Sequence, residues 1–360
     1  MDPQQQMYIA PGALELFSRY LECASGYWRG TRAWMLFGFL VSLILFQLLV
    51  QYLINFWNRD FFNALDNRDV ELLWHEARMF LPLALSSILI AILTVWAKMT
   101  VQRNWREWLS KSLIEYWLRD NHYRQLKIMK NKQLNSEYRI AEDARVATDI
   151  PIDLILGLLT SILTGFAFIT ILWEVGGTLK VNVGGYLIGI PGYLVISAIL
   201  YSLTLTTAML FVGRNLTGAV EGKNHSEAEF RAAASRLREH GEDLVHLVRE
   251  KEEAMAVETT FDQVIEWWRK MCWQLMRTTF IAHGNGLIAP IIGLLLCTPQ
   301  YLAREMSLGQ VVQAAAAFVT VQGCFNWFMD NYPRIADWRS SANRVAFLLL
   351  ALDELSQNKK

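Results

Sequence analysis

Five carboxylates stand where apolar stretches give way to charged ones: Asp149 and Asp153, on either side of Pro151, and Glu221, Glu227 and Glu229. Burial disfavours the ionised form of a carboxyl group, so one held at the edge of an apolar layer can take up a proton on one side and release it on the other. Proton carriage is the chemistry this placement offers, with Asp153 and Glu227 the foremost candidates. The competing reading is that all five are solvated or paired, with Arg145, Arg214 or Arg231 as partners. His283, inside an apolar run, can shuttle protons or bond a neighbouring helix. Nothing resembles a nucleophile beside its base, and the six histidines show no metal spacing. Cys23, Cys272, Cys297 and Cys324 are scattered without paired spacing, which fits neither a disulfide framework nor a metal site. No cofactor is expected in this chain.

The elements that must hold these residues follow from composition. Of 360 residues 53% are apolar and 14 are tryptophan, while 19% are charged, so the charge must be concentrated outside the apolar segments. A net charge of zero gives no basic footprint for nucleic acid. The first residues, with Pro3 and three glutamines, lack the charged start and cleavage site of a signal peptide.

A bilayer core about 30 Å thick needs roughly 20 apolar residues as helix. Six stretches meet or approach this: 33–57, 79–97, 152–173, 191–212, 280–296 and 308–328. The fifth is broken by Asn285 and Pro290 and the sixth is weakened by Gln310, Gln313 and Gln322, so both should face a bundle interior or a wet cavity. Inside segments 1–32, 98–149, 213–279 and 329–360 carry 29 of the 34 Lys and Arg, which places both termini in the cytoplasm. Asp69 reads as an N-cap after a turn at 66–69, Gly176-Gly177 and Gly184-Gly185 as turns, and Pro191 as a first-turn proline.

Both long inside segments read as helical arms. From Arg103 onward, Trp105, Leu109, Leu113, Tyr116 and Trp117 make an apolar face, while Arg103, Glu107, Lys111, Glu115 and Arg119 recur every four residues with alternating sign. The second arm sets Phe230, Ala234, Leu237, Leu244 and Val248 on one side. The expected fold is therefore an all-α polytopic membrane protein. It comprises an N-terminal segment 1–32, a six-span domain 33–345 with arms at 98–149 and 213–279, and a tail 346–360. This plan matches exporter-type ABC transmembrane domains.

Particular motifs narrow the family. Residues 55–69 (NFWNRDFFNALDNRD), 105–109 (WREWL), 138–143 (YRIAED), 227–231 (EAEFR) and 236–239 (RLRE), with Gln322-Gly323, Trp338-Arg339 and Arg344, resemble the SbmA/BacA-like peptide uptake transporters and their ATPase-fused relatives. The resemblance covers about residues 50 to 350. It implies a homodimer around a central cavity in a bacterial inner membrane, in contact with membrane lipid, with all five carboxylates on the lower cavity wall. In the SbmA/BacA branch it implies proton-driven uptake of peptides or peptide-like antibiotics; in the fused branch, an ATPase after the last span. The one Gly-Lys pair, Gly222-Lys223, is followed by Asn224 and preceded by Thr217 where a phosphate loop needs its first glycine, so no nucleotide site and no enzyme activity is expected of these residues. Two functions compete: a proton-coupled peptide importer, and the membrane part of an ATP-driven transporter whose ATPase is a separate or missing chain, with peptide, vitamin or lipid-like cargo. A receptor or scaffold is a third.

Overall fold

The computed structural model describes residues 12–128, 135–183, 186–240 and 247–357. Along these the chain forms α1 (Ala13–Trp28), α2 (Thr31–Asp66), α3 (Val70–Leu118), α4 (His122–Ile128), α5 (Ser136–Tyr138), α6 (Ala144–Gly176), strands β1 (Thr178–Val183) and β2 (Tyr186–Pro191), α7 (Tyr193–Gly213), α8 (Leu216–His240), α9 (Leu247–Leu302) and α10 (Leu308–Gln357). Among the described residues six helices, α2, α3, α6, α7, α9 and α10, are long and apolar enough to cross a membrane. Two spans run on into the arms as one helix, α3 with 49 residues and α9 with 56, and α10 with 50 carries the last span into the C-terminal segment. At 1.5 Å per residue each is about 75 Å or longer, more than twice a hydrocarbon core.

The chain divides into two compact units. The first comprises residues 1–171, 306–313 and 326–360. Its core is built on the apolar face anticipated in the first arm: Trp105, Leu109 and Leu113 of α3 are buried against Tyr20 and Ala24 of α1, Leu40 and Ile44 of α2, Ala144 and Ile152 of α6, and Val345 and Leu349 of α10. Arg103, Glu107, Lys111, Glu115 and Arg119 are exposed, with Lys111 and Glu107 paired at 2.6 Å. The face pattern set the packing. Asp69 caps α3 by accepting from the Leu72 amide at 3.0 Å, and Arg68 takes the left-handed conformation (φ 55°) in the turn before it.

Pro151 lies within α6 and has no amide proton, so the Ala147 carbonyl four residues earlier has no helical donor. The Tyr20 hydroxyl takes that place at 2.6 Å, and α1 is thereby docked on α6. Residues 346–357, expected as a tail, continue α10 and bury Leu348, Leu352 and Leu355 with Leu126 of α4. Asp353 there accepts from Arg19 of α1 at 2.7 Å and from Tyr116 of α3 at 2.7 Å.

The second unit comprises residues 172–305 and 314–325. The fold class is all-α as expected, and between α6 and α7 it carries one short hairpin, where β1 and β2 pair antiparallel with Thr178 opposite Pro191 and Val183 opposite Tyr186. Pro191 thus ends a strand instead of opening a helix, and α7 starts at Tyr193 after Gly192. Gly177 (φ 53°) and Gly192 (φ 61°) are left-handed, and the Gly192 amide closes the hairpin base on the Gly177 carbonyl at 2.9 Å. The Gly184-Gly185 turn and residues 129–134 at the first arm's end lie outside the described residues, as do 241–246 in the second arm. In that arm α8 pairs with α9, Phe230 meeting Phe261 at 5.3 Å. On α8 Ala219, Ser226 and Ala233 are buried and on α9 Val264 is among the buried residues, so the α8 face runs through Ala233, one position before the Ala234 expected from sequence.

In the first unit α10 begins against the end of α2. The Gly309 amide donates to Asn63 Oδ1 at 2.9 Å, and a Cβ at Gly309 would overlap the Arg59 carbonyl. Gly309→Val is expected to lower stability by about 1–3 kcal/mol, because backbone cannot yield as a flexible side chain would; thermal unfolding in detergent measures it.

Candidate functional site

The first unit gathers polar groups where α3, α6 and α10 pass from apolar to charged sequence. Lys98 and Gln102 lie four residues apart on α3, and Asp149 and Asp153 four apart on α6, so each pair shares a helix face. Gln102 Nε2 donates to Asp153 Oδ1 at 2.9 Å and to the Asp149 carbonyl at 2.8 Å. Lys98 Nζ is 3.2 Å from Asp153 Oδ1, and Arg334 of α10 donates to Asp153 Oδ2. Both carboxylate oxygens of Asp153 are therefore taken by cations from two other helices. Asp149 is half-buried, 3.8 Å from Arg145, and Arg145 bonds Glu142 at 2.5 Å.

Two turns before Asp149 lies a second cluster. Arg139–Asp143 form a π turn leading from α5 into α6, a rare geometry that recurs at functional positions. It carries Asp143, 1% exposed at its side chain, between Arg139 at 2.7 Å and Arg344 of α10 at 2.6 Å. Burial by itself would push the Asp143 carboxyl up; hydrogen bonds from Arg344 and Arg139 outweigh it and hold the group below the usual aspartate range. Arg344 also donates to Ser340 at 2.5 Å and Ser341 at 2.8 Å. A cavity of about 390 Å³ opens beside this cluster, lined by Tyr138, Glu142, Arg145, Asp149, Asp337 and Arg344 among others.

The other three candidates lie on α8 in the second unit. Glu227 is half-buried, with Lys223 and Arg231 one turn away on either side, each at 3.9 Å. Glu229 is exposed and meets His225 at 3.2 Å; Glu221 is exposed. Arg214 stacks on the Phe211 ring at 4.8 Å. His283 is exposed in this chain. Among the described residues no cluster of three or more His, Cys, Asp or Glu has metal-binding geometry.

A family model described as ABC transporter transmembrane region 2 matches residues 26–302. The chain belongs to this family. Among similar proteins, it is 26% identical over 339 residues to the inner membrane ABC transporter ATP-binding protein YddA of Escherichia coli, covering 92% of this chain and 60% of that one. An uncharacterized ABC transporter ATP-binding protein of Synechocystis is 24% identical, with 87% of this chain and 45% of the relative covered. ABC transporter D family member 2, chloroplastic, of Arabidopsis thaliana is 22% identical, with 92% and 45% covered. The chain thus spans about half the length of the curated relatives it matches.

The Asp143 cluster ties the π turn before α6 to α10, and the Asp153 cluster ties α6 to α3 and α10. Sequence reasoning placed Asp149 and Asp153 but missed Lys98, Gln102 and Arg334. The signal was faint: Lys98 is the first charge after an apolar run and Arg334 follows Pro333, yet their meeting depends on helix pairing that periodicity does not encode.

Asp143 supplies a pH test. Its pKa is lowered on folding, so its stabilisation is present above the unfolded aspartate pKa and is lost as pH falls through the lower folded value. Asp143→Asn is expected to cost about 2 kcal/mol at neutral pH, leaving two arginines without their shared anion, and to approach wild-type stability in acid. Unfolding midpoints between neutral and acidic pH would show the two curves converging; parallel curves would count against it.

Proposed function

We propose that this chain is the membrane-spanning part of an ATP-driven transporter. In this reading two copies enclose a cavity in a bacterial inner membrane, both termini face the cytoplasm, and the arms at 98–149 and 213–279 receive the motion of an ATPase. The observation that carries it is the continuity of α3 and α9 from apolar layer into arm. An unbroken helix moves at one end when it is tilted at the other, so it can pass force across the boundary. The names of the bacterial relatives, ATP-binding proteins of ABC type, and their unmatched remaining length agree with it.

A second reading is proton-driven uptake of peptides or peptide-like antibiotics. Glu227 is the residue it would rest on, half-buried on α8 with Lys223 and Arg231 each 3.9 Å away, beyond hydrogen-bond distance. Asp153 counts against it, because Lys98, Gln102 and Arg334 occupy both oxygens.

Two measurements separate the readings. The chain captured from its native membrane is expected to carry ATP hydrolysis that co-elutes with it. Vesicles holding the purified chain alone are expected to take up no labelled peptide under a proton gradient. Gradient-driven uptake without nucleotide, abolished by Glu227→Gln at unchanged protein level, would overturn the first reading. Asp153→Asn is expected to weaken the tie of α3 to α10 and lower stability by about 1 kcal/mol, since the group is partly solvated; thermal unfolding reads this.

A further inference from the structure

In the first unit α1 and α2 meet in a short turn, Arg29-Gly30, just where the apolar stretch of α2 begins. The Gly30 amide donates to the Tyr27 carbonyl at 3.3 Å and the Ala33 amide to the Gly30 carbonyl at 3.2 Å, so the turn is tight, with Arg29 on one side of Gly30 and Arg32 on the other. Rings back it. Trp28 meets Trp105 of α3 at 5.7 Å, Phe37 at 5.6 Å and Trp34 at 5.8 Å, and the Trp34 indole N–H donates to the Trp28 carbonyl at 2.7 Å. The frame that carries the two arginines is thus fixed before anything binds to them.

Arg29 and Arg32 are both exposed, and among the described residues neither has a hydrogen bond or an ion pair. Nearby carboxylates are already taken: Glu22 of α1 holds Arg19 at 3.2 Å and Glu107 of α3 holds Lys111 at 2.6 Å. From the turn an apolar face runs along α2. Met35, Phe39, Phe46, Leu49 and Leu53 are exposed on it at helical spacing, and at 1.5 Å per residue the line from Arg32 to Leu53 is about 32 Å, the depth of a hydrocarbon core. A Cβ at Gly38 would meet no atom within 4 Å, which leaves a notch beside Phe39. Two unpaired positive charges at the head of an apolar face repeat the order of an anionic phospholipid, phosphate above acyl chain. A protein covering the same face would have to bring carboxylates out of water to reach the arginines, a desolvation cost that a phosphate already lying at the boundary does not meet.

We propose that the α1–α2 turn is a binding site for an anionic phospholipid, its phosphate held by Arg29 and Arg32 and its acyl chains lying along Met35 and Phe39 past Gly38. A lipid held there ties α1, and through it the core of the first unit, to the leaflet in which α2 begins.

The test uses the full chain reconstituted in phosphatidylcholine vesicles, into which phospholipids brominated high on their acyl chains are titrated. Bromine quenches the fluorescence of indole rings that it touches, and Trp34 stands exposed beside the turn. Brominated phosphatidylglycerol should quench a saturable fraction of the emission at about thirtyfold lower mole fraction than brominated phosphatidylcholine, since each arginine at an anionic surface contributes about fivefold. Arg29→Gln and Arg32→Gln should each reduce that preference about fivefold, and the double variant should abolish it. Arg119→Gln, which removes a charge at the far end of α3, should leave it unchanged. Equal quenching by the two lipids in the wild type, an unchanged preference in the double variant, or an equal loss in Arg119→Gln overturns the proposal. A saturable fraction that persists in Trp34→Phe puts the lipid elsewhere and overturns the site. So does a Trp34 that neither lipid reaches, the result expected if a second copy covers this face. Loss of the preference on adding inorganic phosphate at constant ionic strength assigns the arginines to a free anion and overturns the lipid. Should the double variant fail to insert, the single variants decide alone. No nucleotide or gradient enters this measurement, so its failure is separate from that of the transport experiment.

Discussion

Backbone amides and carbonyls in hydrocarbon must find their partners within the chain, and this constraint organises the protein. It permits helices through the apolar layer, and α3 and α9 carry on beyond their apolar stretches into the arms as single helices. At Pro151 the interruption of the ladder is made good locally. Tyr20 satisfies the carbonyl released by Pro151, so a defect in α6 becomes the attachment point of α1. The same requirement explains why Gln300 Nε2 reaches the Gly176 carbonyl at 2.8 Å, at an end of α6 that lacks further helical donors.

Charge is spent where helices have to be held together outside the apolar layer. Asp143 and Asp153 each sit among cations from more than one helix, and Asp353 gathers Arg19 and Tyr116 at the end of α10. Half-solvated pairs contribute little individually. Their value lies in direction: each fixes one register of α10 against its neighbours, which an apolar seam of Ala342, Val345, Ala346 and Leu349 would specify less sharply.

The six spans were legible because length and hydropathy suffice for them, and the buried face of the first arm because Trp105, Leu109 and Leu113 repeat at helical spacing. The hairpin between α6 and α7 was missed although Thr178–Val183 and Tyr186–Pro191 are β-prone runs around Gly184-Gly185; the apolar spans on either side drew the reading toward a simple turn. Asp149 and Asp153 were visible as carboxylates at an apolar boundary. Their partners were not, since Lys98 and Arg334 are 55 and more than 180 residues from Asp153 in sequence and only the packing of three helices brings them together.

The π turn at Arg139–Asp143 also sets rotational phase. One residue beyond the α-helical repeat turns everything on its far side by about 100° relative to an unbroken helix. That offset lets Asp143 face α10 while Ile140 packs toward Leu348 and its neighbours. The segment therefore works as a keyed joint: losing its extra residue would leave a sound α-helix and yet point the wrong face of the arm at its neighbours.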